Sequence, residues 1–205
     1  MNRGAIVLCG GHSRRMGRDK ATLPFGPECM LQRVVRILAC VVDARNIVVV
    51  AANGQTVPPL REDVLITRDG RDDRGPLEGL AAGWRALPAE IDAVYATSCD
   101  VPLLVPAFVE RMFGELDATS IAVPIEDERL HPLAAAYRRE VLSPIERLLA
   151  ADQLRVRLLF SKVPTRTIPV EILRDADPEL DSLQNLNRPE DYEAALRRAG
   201  LFSEG

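Results

Sequence analysis

The segment from Ile6 to Gly26 (IVLCGGHSRRMGRDKATLPFG) places glycine and positive charge directly after a short apolar run. Gly10 and Gly11 allow positive φ values and a close approach of the backbone to a ligand. Successive backbone N–H groups in such a turn can form an anion-binding nest. The segment's basic side chains are those of Arg14, Arg15, Arg18 and Lys20. This combination predicts a binding site for a polyanion, and a triphosphate is the natural ligand.

Two standard phosphate-binding loops do not match this segment. A P-loop requires the pattern G-x-x-x-x-G-K-[ST], whereas Gly17 is followed by Arg-Asp. The dinucleotide pattern G-x-G-x-x-G is also absent. We expect Arg15 and Lys20 to bind phosphate oxygens and the side chains of Arg14 and Arg18 to face solvent.

Asp100 is the candidate metal ligand, because it lies just beyond the apolar run Ala93–Ser98. A carboxylate at the carboxyl end of a strand can hold Mg²⁺ with few other protein ligands, since water and phosphate oxygens complete the octahedron. The alternative is a cap for the following turn. Asp19 is a weaker candidate for a second ligand, and we expect it to pair with Lys20 or Arg15 instead.

Apolar runs alternate with helical stripes along the chain and predict the elements that position these residues. The predicted strands are Ala5–Cys9, Asn46–Ala52, Val64–Thr67, Ala93–Ser98, Ser120–Pro124, Leu133–Tyr137 and Thr165–Val170. The predicted helices cover residues 31–42, 76–87, 106–116, 143–149 (capped by Ser143-Pro144), 153–160 and 189–199. The alternation predicts an α/β fold with a doubly wound, mainly parallel sheet in three layers. Such sheets bind ligands at the carboxyl ends of their strands, near the switch in strand order.

Asn53 and Asp69 each follow a predicted strand, so both are candidates for contacting the ligand at that edge. Polar residues at strand ends also simply complete turns. Asp72 and Asp73 compete with Asp69 for the same role, because the loop could shift by a few residues.

Composition restricts the class of protein. The chain has 205 residues, which suits a single domain covering 1–205, and its 47% hydrophobic and 27% charged content is ordinary for a globular protein. A net charge of −4 argues against general nucleic-acid binding. The cysteines lack C-x-x-C spacing, so a zinc site is not expected, and free thiols suit a reducing cytoplasm. The first apolar run is too short for a signal peptide or membrane span, and we predict a soluble cytoplasmic protein.

The motifs resemble those of molybdenum cofactor guanylyltransferases, within the nucleotidyltransferase superfamily. Residues 8–20 (LCGGHSRRMGRDK) resemble the signature L-A-G-G-x-S-x-R-M-G-x-D-K. Further motifs occur in the family's order: V-A-A-N at 50–53, T-R-D at 67–69, G-P-L-E-G at 75–79, S-C-D-V-P at 98–102, H-P at 131–132 and N-L-N-R-P-E-D at 185–191. Two residues depart from the pattern: Cys9 stands where Ala is usual, and Arg188 replaces a helix-capping Thr.

The resemblance implies a Rossmann-like nucleotidyltransferase fold and transfer of GMP from GTP to the terminal phosphate of molybdopterin or Mo-molybdopterin, with Mg²⁺ as cofactor. It implies catalytic roles for Arg15, Lys20 and Asp100, with Asp100 as the metal ligand. The implied nucleotide-binding residues are Leu8, Cys9, Gly10, Gly11, Lys20, Asn53, Asp69 and Asp100, and the implied acceptor-binding residues are His131, Asn185 and Asn187. Transient contacts with other molybdenum cofactor biosynthesis proteins are expected. The Cys9 thiol is expected to be packed and inert.

Two details remain open at this level. Asn185 and Asn187 alternate, so both side chains point the same way in an extended segment and either contact the acceptor or hold the loop to the sheet. His131 either lies beside the acceptor or is an ordinary loop histidine.

The alternative activities are cytidylyl transfer to molybdopterin and nucleotidyl transfer to a sugar phosphate, and a non-catalytic nucleotide-binding protein is a third alternative. The Gly-Gly and Asp-Lys pairs argue against the first two.

Overall fold

A mixed eight-stranded sheet organises the chain in the computed structural model, which describes residues 1–9, 19–70 and 74–201. The strands in these residues are β1 (Arg3–Leu8), β2 (Pro24–Phe25), β3 (Glu28–Cys29), β4 (Ile47–Ala51), β5 (Leu65–Arg68), β6 (Ala93–Ser98), β7 (Ile121–Glu126), β8 (Arg129–Leu130), β9 (Ala135–Arg138) and β10 (Thr165–Pro169). The α-helices are α1 (Met30–Leu38), α2 (Gly75–Ala86), α3 (Pro106–Gly114), α4 (Leu142–Ala150), α5 (Arg157–Phe160) and α6 (Pro189–Arg198).

The strand order is β10-β7-β9-β6-β1-β4-β5, with β8 paired to β7. The pairs formed by β1 with β4 and β6, by β4 with β5 and by β7 with β10 are parallel, whereas β9 runs antiparallel to both of its neighbours. The central strands β4 and β6 are buried along their whole length, as expected for parallel strands covered on both faces. The predicted doubly wound α/β fold is confirmed.

Two apolar clusters on opposite faces of the sheet give the fold its three layers. Alternate residues of β1 point to opposite sides: Ala5 and Val7 pack with the apolar faces of α1 and α3, and Ile6 and Leu8 pack with α2 and α4. Close packing at α2 depends on glycine, because a Cβ at Gly83 would lie 2.7 Å from Ile6 Cγ2. A third cluster seats α6 against β2 and the start of α1.

Three helix predictions are wrong at their boundaries. The helix predicted over 31–42 ends at Leu38, because Cys40 N and Val41 N donate to the third residue back, Ile37 O and Leu38 O, and so form turns instead of further helix. Helix α4 begins at Leu142 rather than at a Ser143 cap, because a 3-10 turn leads directly into it. The Ser143 hydroxyl instead accepts a hydrogen bond from the Arg147 guanidinium at 2.7 Å. The helix predicted over 153–160 is confined to α5, since Asp152 takes a left-handed φ of 57° and residues 153–155 form no regular element before Val156, the N-cap of α5.

The switch in strand order lies between β1 and β6. From β1 the chain adds β4 and β5 on one side, and then returns to place β6 on the other side. The register pairs Leu8 with Ser98, and Cys99 N donates to Leu8 O at 3.1 Å. The residues that follow the two strands therefore meet at one edge, where doubly wound sheets form their binding crevice. Across residues 1–9, 19–70 and 74–201, no helix has both the length and the apolar character needed to span a membrane.

Candidate active site

Asp100 lies at the switch point with its carboxylate buried and fully engaged. The Ser98 hydroxyl donates to Asp100 Oδ1, and Asn185 Nδ2 donates to the same oxygen at 2.8 Å and to Ser98 Oγ at 3.0 Å. Lys20 Nζ donates to the other oxygen, Oδ2, at 2.7 Å. A carboxylate held from three directions has a fixed orientation, as a metal ligand or an electrostatic centre requires.

Lys20 is brought to Asp100 by a short 3-10 turn over Lys20–Thr22. Its ammonium group contacts Asp100 and also donates to Asn187 Oδ1 at 2.8 Å. The side chains of Lys20 and Asp100 are only 15% and 12% exposed, so water screens their attraction less than that of surface pairs. The structure thus joins four residues from the predicted site: Lys20, Asp100, Asn185 and Asn187.

The segment 185–187 lies along Asp100 in extended form. Leu186 N donates to Asp100 O at 2.9 Å, and the Leu186 side chain is buried in the cluster that seats α6. Asn185 and Asn187 therefore share the opposite side, as their alternation predicts. Arg188 supplies no side-chain cap to α6, and Asp191 instead accepts hydrogen bonds from the backbone N–H groups of Asn187 and Arg188.

Asp19 has a different partner from the one predicted. Its carboxylate accepts from Gln55 Nε2 at 3.0 and 2.9 Å and from Ala21 N at 3.0 Å. The predicted pairing with Lys20 is wrong, because the ammonium group is directed to Asp100. The proposed alternative partner, Arg15, lies outside the described residues.

The residues after β4 and β5 lie beside the end of β1. Asn53 occupies an exposed turn beyond β4, and Asp69 N donates to Ala51 O at 3.0 Å. Helix α2 comes close here because Gly79 lacks a side chain: a Cβ there would meet Leu8 Cδ2 at 2.9 Å and Asp69 Oδ1 at 3.4 Å. Asp69 therefore lies at the predicted edge.

Several predicted residues cannot be compared with the structure. Those outside the described residues are Gly10, Gly11, Arg14, Arg15, Arg18, Asp72 and Asp73. The choice among Asp69, Asp72 and Asp73 as the nucleotide contact therefore remains a prediction.

His131 lies at the same sheet edge, between β8 and β9. Strand β9 runs antiparallel to β6, so its first residues adjoin the last residues of β6. Burial lowers the pKa of His131, and the nearby Arg129 lowers it further, against a smaller opposing effect of Glu126 at 3.6 Å. Among the described residues, its polar contacts are local to this hairpin and do not include the Lys20–Asp100 pair.

Cys9 and Cys99 follow β1 and β6 and are neighbouring buried thiols. Hydrogen bonding to the Cys99 thiol is the main cause that raises the Cys9 pKa well above its ordinary value, and burial raises it further. A thiol held in its protonated form is a poor nucleophile. The environment of Cys9 therefore agrees with the predicted packed, inert thiol.

The sequence analysis assigned no role to two residues of this network. Ser98 belongs to the quoted S-C-D-V-P motif and precedes Asp100 by two positions, a spacing that could have identified it. Gln55 has no such signal in the sequence, since the residues that it contacts, Cys9 and Asp19, are distant from it along the chain.

The strand order and the charge cluster at the switch point are those of a Rossmann-like α/β fold with a polar crevice at the carboxyl ends of its strands. The fold is similar to that of molybdopterin-guanine dinucleotide biosynthesis protein A from Archaeoglobus fulgidus, with a TM-score of 0.78 and 21% identity over 98% of this chain and 100% of that one. The model of the MobA-like NTP transferase domain matches residues 5–165, and the chain belongs to this family.

Curated relatives extend the similarity over nearly the whole chain. The molybdenum cofactor guanylyltransferase of Desulfosudis oleivorans is 33% identical over 93% of this chain and 92% of its own length. A probable molybdenum cofactor guanylyltransferase of Mycobacterium avium is 37% identical over 95% of both chains. The predicted family membership is thereby confirmed.

Proposed function

We propose that the protein transfers GMP from GTP to the terminal phosphate of molybdopterin, or of Mo-molybdopterin, giving molybdopterin guanine dinucleotide and pyrophosphate. The observation that carries the proposal is the Lys20–Asp100 cluster at the switch point, in a chain whose relatives bear the name of this activity. The acceptor phosphate attacks the α-phosphate of GTP in line, and pyrophosphate leaves. Positioning and charge neutralisation supply most of the rate enhancement in such transfers.

Asp100 suits a Mg²⁺ ligand by its chemistry. Mg²⁺ typically takes one or two carboxylates and completes its octahedron with water and substrate phosphates. Within the described residues no group of three or more acidic, His or Cys side chains is placed to hold a metal ion, so Asp100 is proposed as a single protein ligand. When bound, Mg²⁺ would neutralise charge on the phosphates.

Lys20 neutralises phosphate charge by exchanging partners. Its ammonium group now contacts Asp100 and Asn187 and would turn to the phosphate oxygens of GTP. Asp100 would then be free to serve as a metal ligand, while Ser98 and Asn185 would continue to hold its Oδ1. Each charge thereby gains a new partner, and neither is left unpaired in a largely buried position.

We place the acceptor on the side of segment 185–187 and His131. The amide contacts indicate that Asn185 also orients Asp100 and that Asn187 orients Lys20. Nucleotide contacts are proposed for Leu8, Cys9, Gly10, Gly11, Asn53 and Asp69, and Arg15 is proposed as a second phosphate-binding cation. A single domain over 1–205, a cytoplasmic location and transient contacts with other cofactor-biosynthesis proteins belong to the same proposal.

The test is turnover by the purified protein with GTP, Mg²⁺ and molybdopterin, followed by pyrophosphate release. Asp100→Ala or Lys20→Ala should lower turnover by about a hundredfold or more, the scale for losing a preorganised electrostatic contact. Turnover of either variant within a few-fold of wild type would contradict the proposed site. If the protein prefers CTP when CTP and GTP compete, it is a cytidylyltransferase and the proposed guanylyl transfer is wrong. GTP binding without pyrophosphate release would indicate a non-catalytic nucleotide-binding protein.

A further inference from the structure

Gln55 links two chain segments that the proposed reaction needs in fixed positions. Its Nε2 donates to Cys9 O at 3.1 Å, at the end of β1, and to both carboxylate oxygens of Asp19 at 3.0 and 2.9 Å. Cys9 and Asp19 are the described residues that flank segment 10–18 on either side. One amide therefore spans the two ends of the glycine- and arginine-rich segment.

The amide of Gln55 can adopt only one orientation in this network. Its Oε1 accepts from Ala52 N at 3.0 Å, while Nε2 faces three oxygen atoms. Exchanging the nitrogen and the oxygen would place a carbonyl against a carboxylate and an N–H against an N–H. Arg68 fixes the same turn from outside by donating to Ala52 O at 2.6 Å and to Gln55 O at 3.2 Å.

Asp19 transmits this restraint to the catalytic lysine. Its carboxylate caps the 3-10 turn by accepting from Ala21 N, and Lys20 is the first residue of that turn. The path thus runs from the turn beyond β4 through Gln55 and Asp19 to Lys20, whose ammonium group reaches Asp100.

We propose that Gln55 is a positioning residue for nucleotidyl transfer, which holds Asp19 against the end of β1 and thereby sets the location of Lys20. The inference rests on the proposed function, since it assigns Lys20 to the phosphates of GTP. Gln55 itself touches no reacting atom. Its bonds keep the lysine preorganised, and a preorganised charge stabilises a transition state without reorganising at the moment of reaction.

Gln55→Ala tests this role, and Gln32→Ala is the matched control. Gln32 also uses both ends of its amide, accepting from Cys29 N at 2.9 Å and donating to Pro59 O at 2.8 Å, and neither bond involves Asp19 or Lys20. Gln55→Ala should lower kcat/KM for GTP by about tenfold to a hundredfold, the range for losing a hydrogen bond to a charged group. Gln32→Ala should stay within twofold of wild type, and thermal melting confirms that both variants are folded.

A double-mutant cycle separates positioning from general stabilisation. If Gln55 acts through Lys20, Gln55→Ala should change kcat/KM by less than about twofold in a Lys20→Ala background. Equal effects of Gln55→Ala in both backgrounds would overturn the proposal. So would kinetics of Gln55→Ala within twofold of wild type.

Failure of the proposed function gives a different result. If wild type binds GTP but does not transfer GMP, the function fails, and the role of Gln55 is then read from the dissociation constant for GTP in the presence of Mg²⁺. Gln55→Ala should weaken that binding at least several-fold in the wild-type background and not in Lys20→Ala. Absence of that difference, or a wild type that does not bind GTP, would overturn the inference as well.

Discussion

Replacing Asp100 by asparagine tests the charge arrangement at the site. The carboxylate accepts from Ser98, Asn185 and Lys20, and the residue is 8% exposed. Asparagine has nearly the same shape but carries an NH₂ group in place of one oxygen. That group must face either the Lys20 ammonium or the two donors on the other side. We therefore expect Asp100→Asn to destabilise the ligand-free protein as well as to abolish turnover.

The size of the destabilisation follows from the burial of the pair. Removing one partner of a fully buried ion pair costs about 3–5 kcal/mol, because the other charge is left uncompensated. The side chains of Lys20 and Asp100 retain 15% and 12% exposure, so solvent compensates part of the loss. We expect the free energy of unfolding to fall by about 2–3 kcal/mol. In a chain of this length the melting temperature should fall by roughly 5–10 °C.

Urea unfolding in metal-free buffer measures this change, with Asp63→Asn as control. Like Asp100, Asp63 forms an ion pair with a basic side chain. Its partner is Arg61, at 2.9 Å, and this pair lies at the protein surface. The control should leave the urea midpoint unchanged, and the m-value should be the same in all three proteins. If Asp100→Asn is as stable as wild type or more so, the contacts of the carboxylate with Lys20, Ser98 and Asn185 do not offset the cost of burying its charge. The partner-exchange account of Lys20 would then be refuted.

Two further predictions follow from the pKa shifts. The raised pKa of Cys9 keeps its thiol protonated near neutral pH, so iodoacetamide should alkylate Cys9 far more slowly than the exposed Cys40; equal rates by peptide mass spectrometry would contradict this. Burial lowers the pKa of His131 below its usual value of 6.5, so the unfolded chain binds the proton more strongly than the folded one. Stability should therefore fall as pH drops below about 6.5, and His131→Gln should lose part of that dependence. Unfolding curves between pH 7 and 5 that are parallel for the two proteins would contradict the assignment.

The strands could be predicted because their burial leaves a direct mark on the sequence. Parallel strands covered on both faces require continuous apolar residues, and β6 was predicted with its observed boundaries. Helix ends were harder to predict, as α4 and α5 show. Ser143 has the chemistry of a cap, but a preceding 3-10 turn had already started the helix. Such a start depends on how the chain leaves β9, which periodicity does not encode.

The site could be predicted only as far as its residues belong to ordered motifs. Lys20, Asp100, Asn185 and Asn187 stand in such motifs, and the structure brings them together. Their mutual roles depend on contacts between distant segments. Alternation alone left open whether Asn185 and Asn187 contact the acceptor or hold the loop to the sheet. In the structure their amides bond to Asp100 and Lys20, and contact with the acceptor stays a prediction.

Gln55 shows why such a role escapes a motif search. A glutamine in a polar turn has no distinctive spacing, and its effect arises only where β1 and β4 end side by side. The parallel register brings Cys9 O within reach of the turn after β4, and the Lys20 turn brings Asp19 to the same place. The amide then bonds to acceptors on both sides of the glycine- and arginine-rich segment 10–18 with one rigid group. A doubly wound sheet thus supplies, through the alignment of its strand ends, a restraint on the turn that carries Lys20 that no local sequence pattern specifies.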